Sequence, residues 1–127
     1  MARKRRWLVL VVDDDPEVRN STAEVLRARG LFVVTAADAE SALDLMTHVI
    51  VDVLFTDIVM PGPMNGFELA RVARRLNPAV KVLCTTGFAG VADAAAGDCN
   101  SCERLLLKPY TPGQLSDEIR SALLARR

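Results

Sequence analysis

The sequence predicts an α/β fold: an open, doubly wound sheet of five parallel strands flanked by five helices. Short apolar runs of strand length alternate along the chain with stretches in which apolar residues recur at helical spacing, the pattern of consecutive βα units. The apolar runs are continuous rather than interrupted by polar residues, as expected for strands that helices cover on both faces. The 127 residues suffice for one such domain and not for two.

The first βα unit has clear signals at both ends of its helix. Leu8–Val12 is the predicted strand. Asp15 then supplies an N-cap and Pro16 the first helical position. We expect this helix to run to about Arg29, because Gly30 is a typical C-terminal stop.

The next two units follow the same plan. Leu31–Thr35 is the second predicted strand, and a helix begins at Asp38 or a neighbour. Val51–Thr56 is the third strand, and the turn-rich loop 61–66 leads into a third helix that ends before Pro78.

The last part of the chain is less uniform. Val80–Thr85 is the fourth predicted strand, whereas Ala89–Gly97 is rich in alanine and glycine and predicts only a short helix. Arg104–Leu107 is the fifth strand, and residues 111–114 resemble a capping box that opens the last helix. The side chains predicted to face inward from the four well-patterned helices are Val18, Thr22, Val25 and Leu26; Ala42, Leu43, Leu45 and Met46; Leu69, Val72, Ala73 and Leu76; and Leu115, Ile119, Ala122 and Leu123.

Charged and hydroxyl side chains stand at the carboxyl ends of four predicted strands. They are, in chain order, Asp13, Asp14, Asp57, Thr86 and Lys108. Because the carboxyl ends of parallel strands meet at one edge of a sheet, we expect these side chains to lie together. Crowded carboxylates repel one another unless a cation lies among them, and oxygen ligands of this kind suit Mg²⁺. A lysine and a hydroxyl nearby are suited to binding a phosphoryl group.

Five stretches of the chain, which together span nearly its whole length, are similar to the receiver domain of two-component response regulators. They are Val-Leu-Val-Val-Asp-Asp-Asp-Pro at 9–16, Leu-Phe-Thr-Asp-Ile-Val-Met-Pro at 54–61, Met-Asn-Gly-Phe-Glu-Leu at 64–69, Val-Leu-Cys-Thr-Thr-Gly at 82–87 and Leu-Leu-Leu-Lys-Pro-Tyr at 105–110. The resemblance implies the flavodoxin-like strand order 2-1-3-4-5 and divides the chain into a basic tail, 1–7, and a receiver domain, 8–127. It also implies a phosphoacceptor in signal transduction that is not an enzyme beyond its own phosphorylation.

The resemblance assigns roles to residues at matching positions. Asp57 would attack the phosphorus of a phosphohistidine and become an aspartyl phosphate. Asp14 and Asp57 would bind Mg²⁺ directly, Asp13 would act through water, and Val59 would contribute its backbone carbonyl. Lys108 would pair with Asp57 and a phosphoryl oxygen.

A second group of roles concerns the response to phosphorylation. Thr86 would donate its hydroxyl to the phosphoryl group; it is preferred to Thr85 because the switch hydroxyl of the family directly precedes a small residue. Pro109 would follow a cis peptide bond. Leu105 stands where many receivers carry an aromatic switch residue, and Tyr110 is not in register to replace it.

Three other interpretations apply to the carboxyl edge of the predicted sheet. A haloacid-dehalogenase-like phosphatase needs a second acid two residues after the nucleophile, where this chain has Val59. A flavin carrier would meet repulsion from the acidic run 13–15. A phosphate-independent interaction module, or pseudo-receiver, stays open as the alternative function.

Partners follow from the resemblance and from composition. The expected partners are a sensor histidine kinase or a histidine phosphotransfer protein, and a downstream protein that binds the face of the fourth and fifth strands with the helix after each. Equal numbers of basic and acidic residues, 16 each, give no reason to expect nucleic acid. The apolar run 7–12 is too short for a signal peptide or a membrane span, so the expected location is cytoplasmic. Because the chain begins at Met1, a free-standing protein is favoured, and a segment of a hybrid kinase stays open.

Three cysteines do not form a secreted disulfide framework. Cys99 and Cys102 are spaced as C-x-x-C, which raises redox or zinc chemistry, but the lone His48 is distant in sequence and Cys84 lies in an apolar strand. We therefore predict that all three cysteines are incidental.

Overall fold

The structure, a computed structural model, describes residues 6–88 and 102–125. Its strands are β1 Leu8–Val12, β2 Phe32–Ala36, β3 Val53–Asp57, β4 Lys81–Thr86 and β5 Arg104–Leu107. Its helices are α1 Pro16–Ala28, α2 Ala39–Met46, α3 Gly66–Leu76 and α4 Pro112–Leu124. The strands form one parallel sheet in the order β2-β1-β3-β4-β5, which confirms the predicted fold class. The helix expected at 89–97 lies outside the described residues.

The helices begin where their capping residues predict. Asp15 accepts hydrogen bonds from the backbone of Glu17 and Val18 and is followed by proline at the first helical position. Asp38 caps α2 by accepting a hydrogen bond from the Ser41 N–H, and Asn65 and Thr111 form complete capping boxes at α3 and α4. Local side-chain chemistry therefore defines all four helix starts.

Two hydrophobic cores lie on opposite faces of the sheet. One joins the sheet to α2 and α3, and the other joins it to α1 and α4. The strands are buried from both sides as a result, which explains their continuous apolar sequences. Among the described residues, no helix combines the length and apolar character that a membrane span requires.

Some predicted boundaries and inward-facing positions differ from the structure. β3 and β4 each include one more residue at the carboxyl end, since Asp57 pairs with Thr85 and Thr86 pairs with Leu107. Leu76, predicted to face inward, is 49% exposed. The buried residues of α3 are Gly66, Leu69, Ala70 and Ala73. Leu76 follows Ala73 by three residues on the same face, but it is the last residue of the helix and its side chain reaches solvent.

The cysteine prediction is wrong for two of the three residues. Cys84 in β4 and Cys102, just before β5, are joined by a disulfide, with Cα atoms 6.0 Å apart. The C-x-x-C spacing drew attention to Cys99 and Cys102, but the partner of Cys102 is 18 residues away. Only the alignment of β4 beside β5 brings the two sulfur atoms together.

Candidate functional site

Three carboxylates converge at the carboxyl edge of the sheet. Asp13 follows β1 directly, and Asp57 is the last residue of the neighbouring strand β3. Oxygen atoms of Asp13, Asp14 and Asp57 all lie within 4.8 Å of one another. Asp13 and Asp57 are 3% and 6% exposed, whereas Asp14 is open to solvent. The cluster therefore offers oxygen ligands only, two of them buried and one accessible.

Lys108 reaches this cluster from the end of β5. Its Nζ lies 2.9 Å from Asp13 Oδ2 and 3.0 Å from Asp57 Oδ2, so one ammonium group bridges both buried acids. The backbone N–H of Lys108 donates to the carbonyl of Thr86 at 2.9 Å, which fixes the lysine beside the end of β4. The Lys108–Pro109 peptide bond is cis, as the resemblance implied.

Burial and the Asp57–Lys108 ion pair shift the pKa of each of these two groups in opposite directions. Burial raises the pKa of Asp57, and the Asp13 charge adds to this, while the hydrogen bond and charge of Lys108 offset part of the increase. For Lys108, burial alone would lower the pKa, but its hydrogen bonds with Asp13 and Asp57 outweigh burial and raise it. The lysine therefore stays charged, and its single positive charge incompletely balances the acids. An additional cation among them would be favourable.

Backbone contacts orient the second oxygen of Asp57. The Val59 N–H donates to Asp57 Oδ1 at 3.2 Å, while Oδ2 receives the lysine. The first residue of α3, Gly66, lies directly on this turn and donates its N–H to the carbonyl of Ile58 at 2.8 Å. A Cβ at Gly66 would lie 2.2 Å from the Asp57 carbonyl oxygen. Sequence reasoning placed Gly66 only in a turn and missed this contact.

Thr86 is fully buried at the end of β4, and its Oγ1 accepts a hydrogen bond from the Phe88 N–H at 3.2 Å. Its carbonyl accepts from Lys108, so the threonine and the lysine are neighbours across the β4–β5 pair. The adjacent Thr85 is also buried, and its Oγ1 is without a hydrogen-bond partner among the described residues. The structure therefore brings Thr86 to the same edge as the predicted lysine and acids.

Tyr110 is a contributor that the sequence did not indicate. Its hydroxyl is 2.7 Å from Thr22 Oγ1 on α1, and its ring packs edge-on against Phe55 with the ring centroids 5.7 Å apart. Burial raises the pKa of the Tyr110 hydroxyl. The tyrosine thus ties the chain just after Lys108 to α1 and β3. It lines a groove of about 610 Å³ beside the site, together with Glu17, Ser21, Gly87 and Lys108.

The sequence model of the family described as the response regulator receiver domain matches residues 9–120.

The chain belongs to the response regulator receiver family.

Relatives of different lengths share this receiver sequence. The chain is 34% identical over 117 residues to the response regulator receiver protein CpdR of Brucella abortus (strain 2308), covering 92% of this chain and 97% of that protein. It is 32% identical to the sensor kinase CckA of the same organism, covering 91% of this chain and 12% of the kinase. It is 30% identical to the DNA-binding response regulator MtrA of Mycolicibacterium smegmatis (strain ATCC 700084 / mc(2)155), covering 93% of this chain and 51% of that protein.

Solved structures agree with the family assignment. A CheY-like response regulator receiver domain protein from Methanospirillum hungatei JF-1 superimposes with a TM-score of 0.85 at 28% identity, covering 94% of each chain. Receivers are signalling domains of two-component systems rather than enzymes of the ordinary kind, and their partners are histidine kinases. This confirms the predicted family and general function.

Proposed function

We propose that Asp57 accepts a phosphoryl group from the phosphohistidine of a sensor histidine kinase or a histidine phosphotransfer protein. The observation that carries the proposal is the convergence of Asp57, two further acids and Lys108 on the carboxyl edge of the sheet. An oxygen of the Asp57 carboxylate would form a bond to phosphorus while the bond from phosphorus to the histidine nitrogen breaks. The imidazole leaves, and an acyl phosphate remains on the receiver.

The chain's own residues would position this transfer. The Val59 N–H and the Lys108 ammonium hold the two oxygens of Asp57, so the carboxylate is oriented before the donor arrives. Lys108 would then neutralise charge on a phosphoryl oxygen. Thr86 would donate its hydroxyl to the new phosphoryl group and draw the turn after β4 inward, and its Oγ1 can still accept from the Phe88 N–H.

The donor set of the acidic cluster fits Mg²⁺, because every side chain in it offers carboxylate oxygen. Asp14 and Asp57 would hold the ion directly, Asp13 through water, and Val59 through its backbone carbonyl. When bound, Mg²⁺ supplies positive charge that offsets the crowded carboxylates and the phosphoryl oxygens.

Output would pass through a protein surface. We place the contact with a downstream protein on the face of β4, β5 and α4, and we assign no contact with nucleic acid or membrane; the helix predicted between these strands lies outside the described residues. The domain assignment, a basic tail at 1–7 and a receiver at 8–127, is part of the same proposal. The relatives include a receiver protein of about this length, a DNA-binding regulator and a sensor kinase, so the proposal applies equally to a free-standing receiver and to a segment of a longer protein.

Mass spectrometry after incubation with phosphoramidate and Mg²⁺ tests the site. We expect a mass increase of one phosphoryl group that is lost in Asp57→Asn and suppressed when the metal is chelated. Asp44→Asn is the matched control, because Asp44 is an acid on α2, away from the carboxyl edge, and this variant should be phosphorylated normally. Phosphorylation that persists in Asp57→Asn would overturn the site, and no phosphorylation of the wild type would favour the pseudo-receiver alternative.

A further inference from the structure

A disulfide lies in the same strand as Thr86. Cys84 is 0% exposed in β4, and Cys102, just before β5, is partly buried. Their Cα atoms are 6.0 Å apart, within the range of about 4.4–6.8 Å that disulfides span. Both side chains contact the core between the sheet and α2 and α3.

The end of β4 is close to this bond. Cys84 and Thr86 are two residues apart in one strand, so their side chains emerge on the same face, roughly 7 Å apart along the strand. The covalent ring closed by the disulfide runs through Thr86, Gly87 and Phe88. It therefore includes the turn in which Phe88 donates to the Thr86 hydroxyl. Any movement of Thr86 therefore occurs within this covalent ring.

The strand that follows Cys102 does not depend on the disulfide for its position. The Glu103 N–H donates to the Val82 carbonyl at 2.8 Å, and its carboxylate accepts from the Val82 N–H. The same carboxylate lies 3.0 Å from Arg74 Nη2 on α3. Glu103 thus ties the start of β5 to β4 and α3 without the sulfur atoms. Breaking the disulfide should therefore leave the pairing of β4 with β5 intact.

We propose that Cys84 and Cys102 form a reversible thiol–disulfide couple that controls how readily Asp57 is phosphorylated. In the oxidised form the cross-link holds β4 at Cys84, two residues before Thr86, and so restrains the inward movement of Thr86 that the proposed function includes. The oxidised form therefore accepts the phosphoryl group more slowly. The regulatory half of this inference rests on the proposed function of Asp57. The existence of the thiol–disulfide couple does not depend on that function.

The oxidant is a small disulfide such as glutathione disulfide. Cys102 is the more exposed residue, so its thiolate attacks one sulfur of the small disulfide and releases one thiol. The Cys84 thiolate then attacks the sulfur of Cys102 and releases the second thiol. The protein gives up two electrons and two protons, and one small disulfide becomes two thiols.

Thiol counting tests the couple without reference to phosphorylation. After equilibration with glutathione disulfide, denaturation and alkylation, the chain of three cysteines should show one free thiol, and after reduction it should show three. Peptide mapping should identify the Cys84–Cys102 link, which Cys99→Ser should retain and Cys102→Ser should lose. Three free thiols after oxidation, or a link that uses Cys99, would overturn the proposal.

The regulatory half is tested by phosphorylation with phosphoramidate and Mg²⁺ in both redox states. In the Cys99→Ser background, we expect the reduced protein to be phosphorylated about fivefold faster than the oxidised protein. Cys102→Ser should be phosphorylated at the fast rate of the reduced protein under both oxidising and reducing conditions. If that variant folds poorly, Cys84→Ala serves as the second variant. Equal rates in protein with a mapped disulfide would overturn the regulation. Absence of phosphorylation in both states would instead contradict the role of Asp57 and leave the thiol result standing.

Discussion

Lys108 holds two buried acids that would otherwise repel each other. Its ammonium contacts both Asp13 and Asp57 at hydrogen-bond distance, and each of these acids is nearly inaccessible to water. A charge in such a position is costly to leave unpaired. The lysine therefore contributes to the stability of the fold as well as to the proposed chemistry.

Replacing Lys108 with Met should lower the free energy of unfolding by about 2 kcal/mol in the presence of a chelator, because Asp13 and Asp57 lose their shared partner. Urea denaturation followed by circular dichroism measures this. Lys81→Met is the control, since the Lys81 ammonium donates to the carbonyl of Ala125 at an exposed position. Equal effects of the two substitutions would contradict the bridging role of Lys108.

The cap of α2 should make the stability of the protein depend on pH. Asp38 accepts a hydrogen bond from the Ser41 N–H at 2.8 Å, which holds its pKa below the ordinary value of 3.8. Because the folded pKa is lowered, the contribution is present above 3.8 and is lost as the pH falls through the folded value. Asn caps helices without titrating.

We therefore expect the stability difference between wild type and Asp38→Asn to shrink as the pH falls from neutrality to values well below 3.8. Urea midpoints of both proteins across this range measure it. A difference that does not change with pH would show that the charge of Asp38 contributes nothing to the cap.

At the scale of elements, α3 begins in contact with the end of β3. The peptide of Asp57 lies so close to Gly66 that a side chain at that position has no space. The start of α3 and the turn after Asp57 are therefore one packed unit, and the helix determines where the Asp57 backbone lies.

Gly66→Ala should destabilise the protein by about 2–3 kcal/mol and slow the phosphorylation of Asp57, because the added methyl group displaces the Asp57 peptide. Gly113→Ala is the matched control near the start of α4. A Cβ there would meet only Thr111 Oγ1, at 3.9 Å, and the change should stabilise by about 0.5–1 kcal/mol. Comparable thermal midpoints for the two variants would contradict this packing.

At the scale of the whole molecule, the sheet brings distant parts of the chain into one charged cluster. Because burial and the Asp13 charge raise the pKa of Asp57, the ionised carboxylate costs stability at neutral pH. Without metal, Asp57→Asn should therefore unfold at a higher temperature than the wild type.

Added Mg²⁺ should stabilise the wild type by mass action and the variant much less, as calorimetry can measure. Equal Mg²⁺ effects would reject Asp57 as a ligand.

The disulfide joins Cys84 in β4 to Cys102, just before β5, across a separation of 18 residues. A loop of this length should make the oxidised protein more stable than the reduced protein by about 3 kcal/mol, mainly because the unfolded chain is constrained. Guanidinium denaturation of wild type with and without reductant measures this. Cys102→Ser should show no dependence on reductant.

The amino-acid sequence by itself determined the fold class, the helix starts and which charged residues lie at the carboxyl edge of the sheet, because each depends on local information. Asp15, Asp38 and Thr111 act on backbone groups within three residues, and an apolar run of strand length needs no distant partner to be recognised. The acids and the lysine could be placed at one edge since parallel strands align their ends.

Only the tertiary structure decided which of these groups touch. The bridge from Lys108 to two acids, the contact of Tyr110 with Thr22, the closeness of Gly66 to Asp57 and the Cys84–Cys102 bond each join residues far apart in sequence. Such contacts depend on strand order, register and side-chain packing, and no local pattern encodes them. The carboxylate cluster was therefore predictable as a set of residues, and its geometry and its neighbouring disulfide were not.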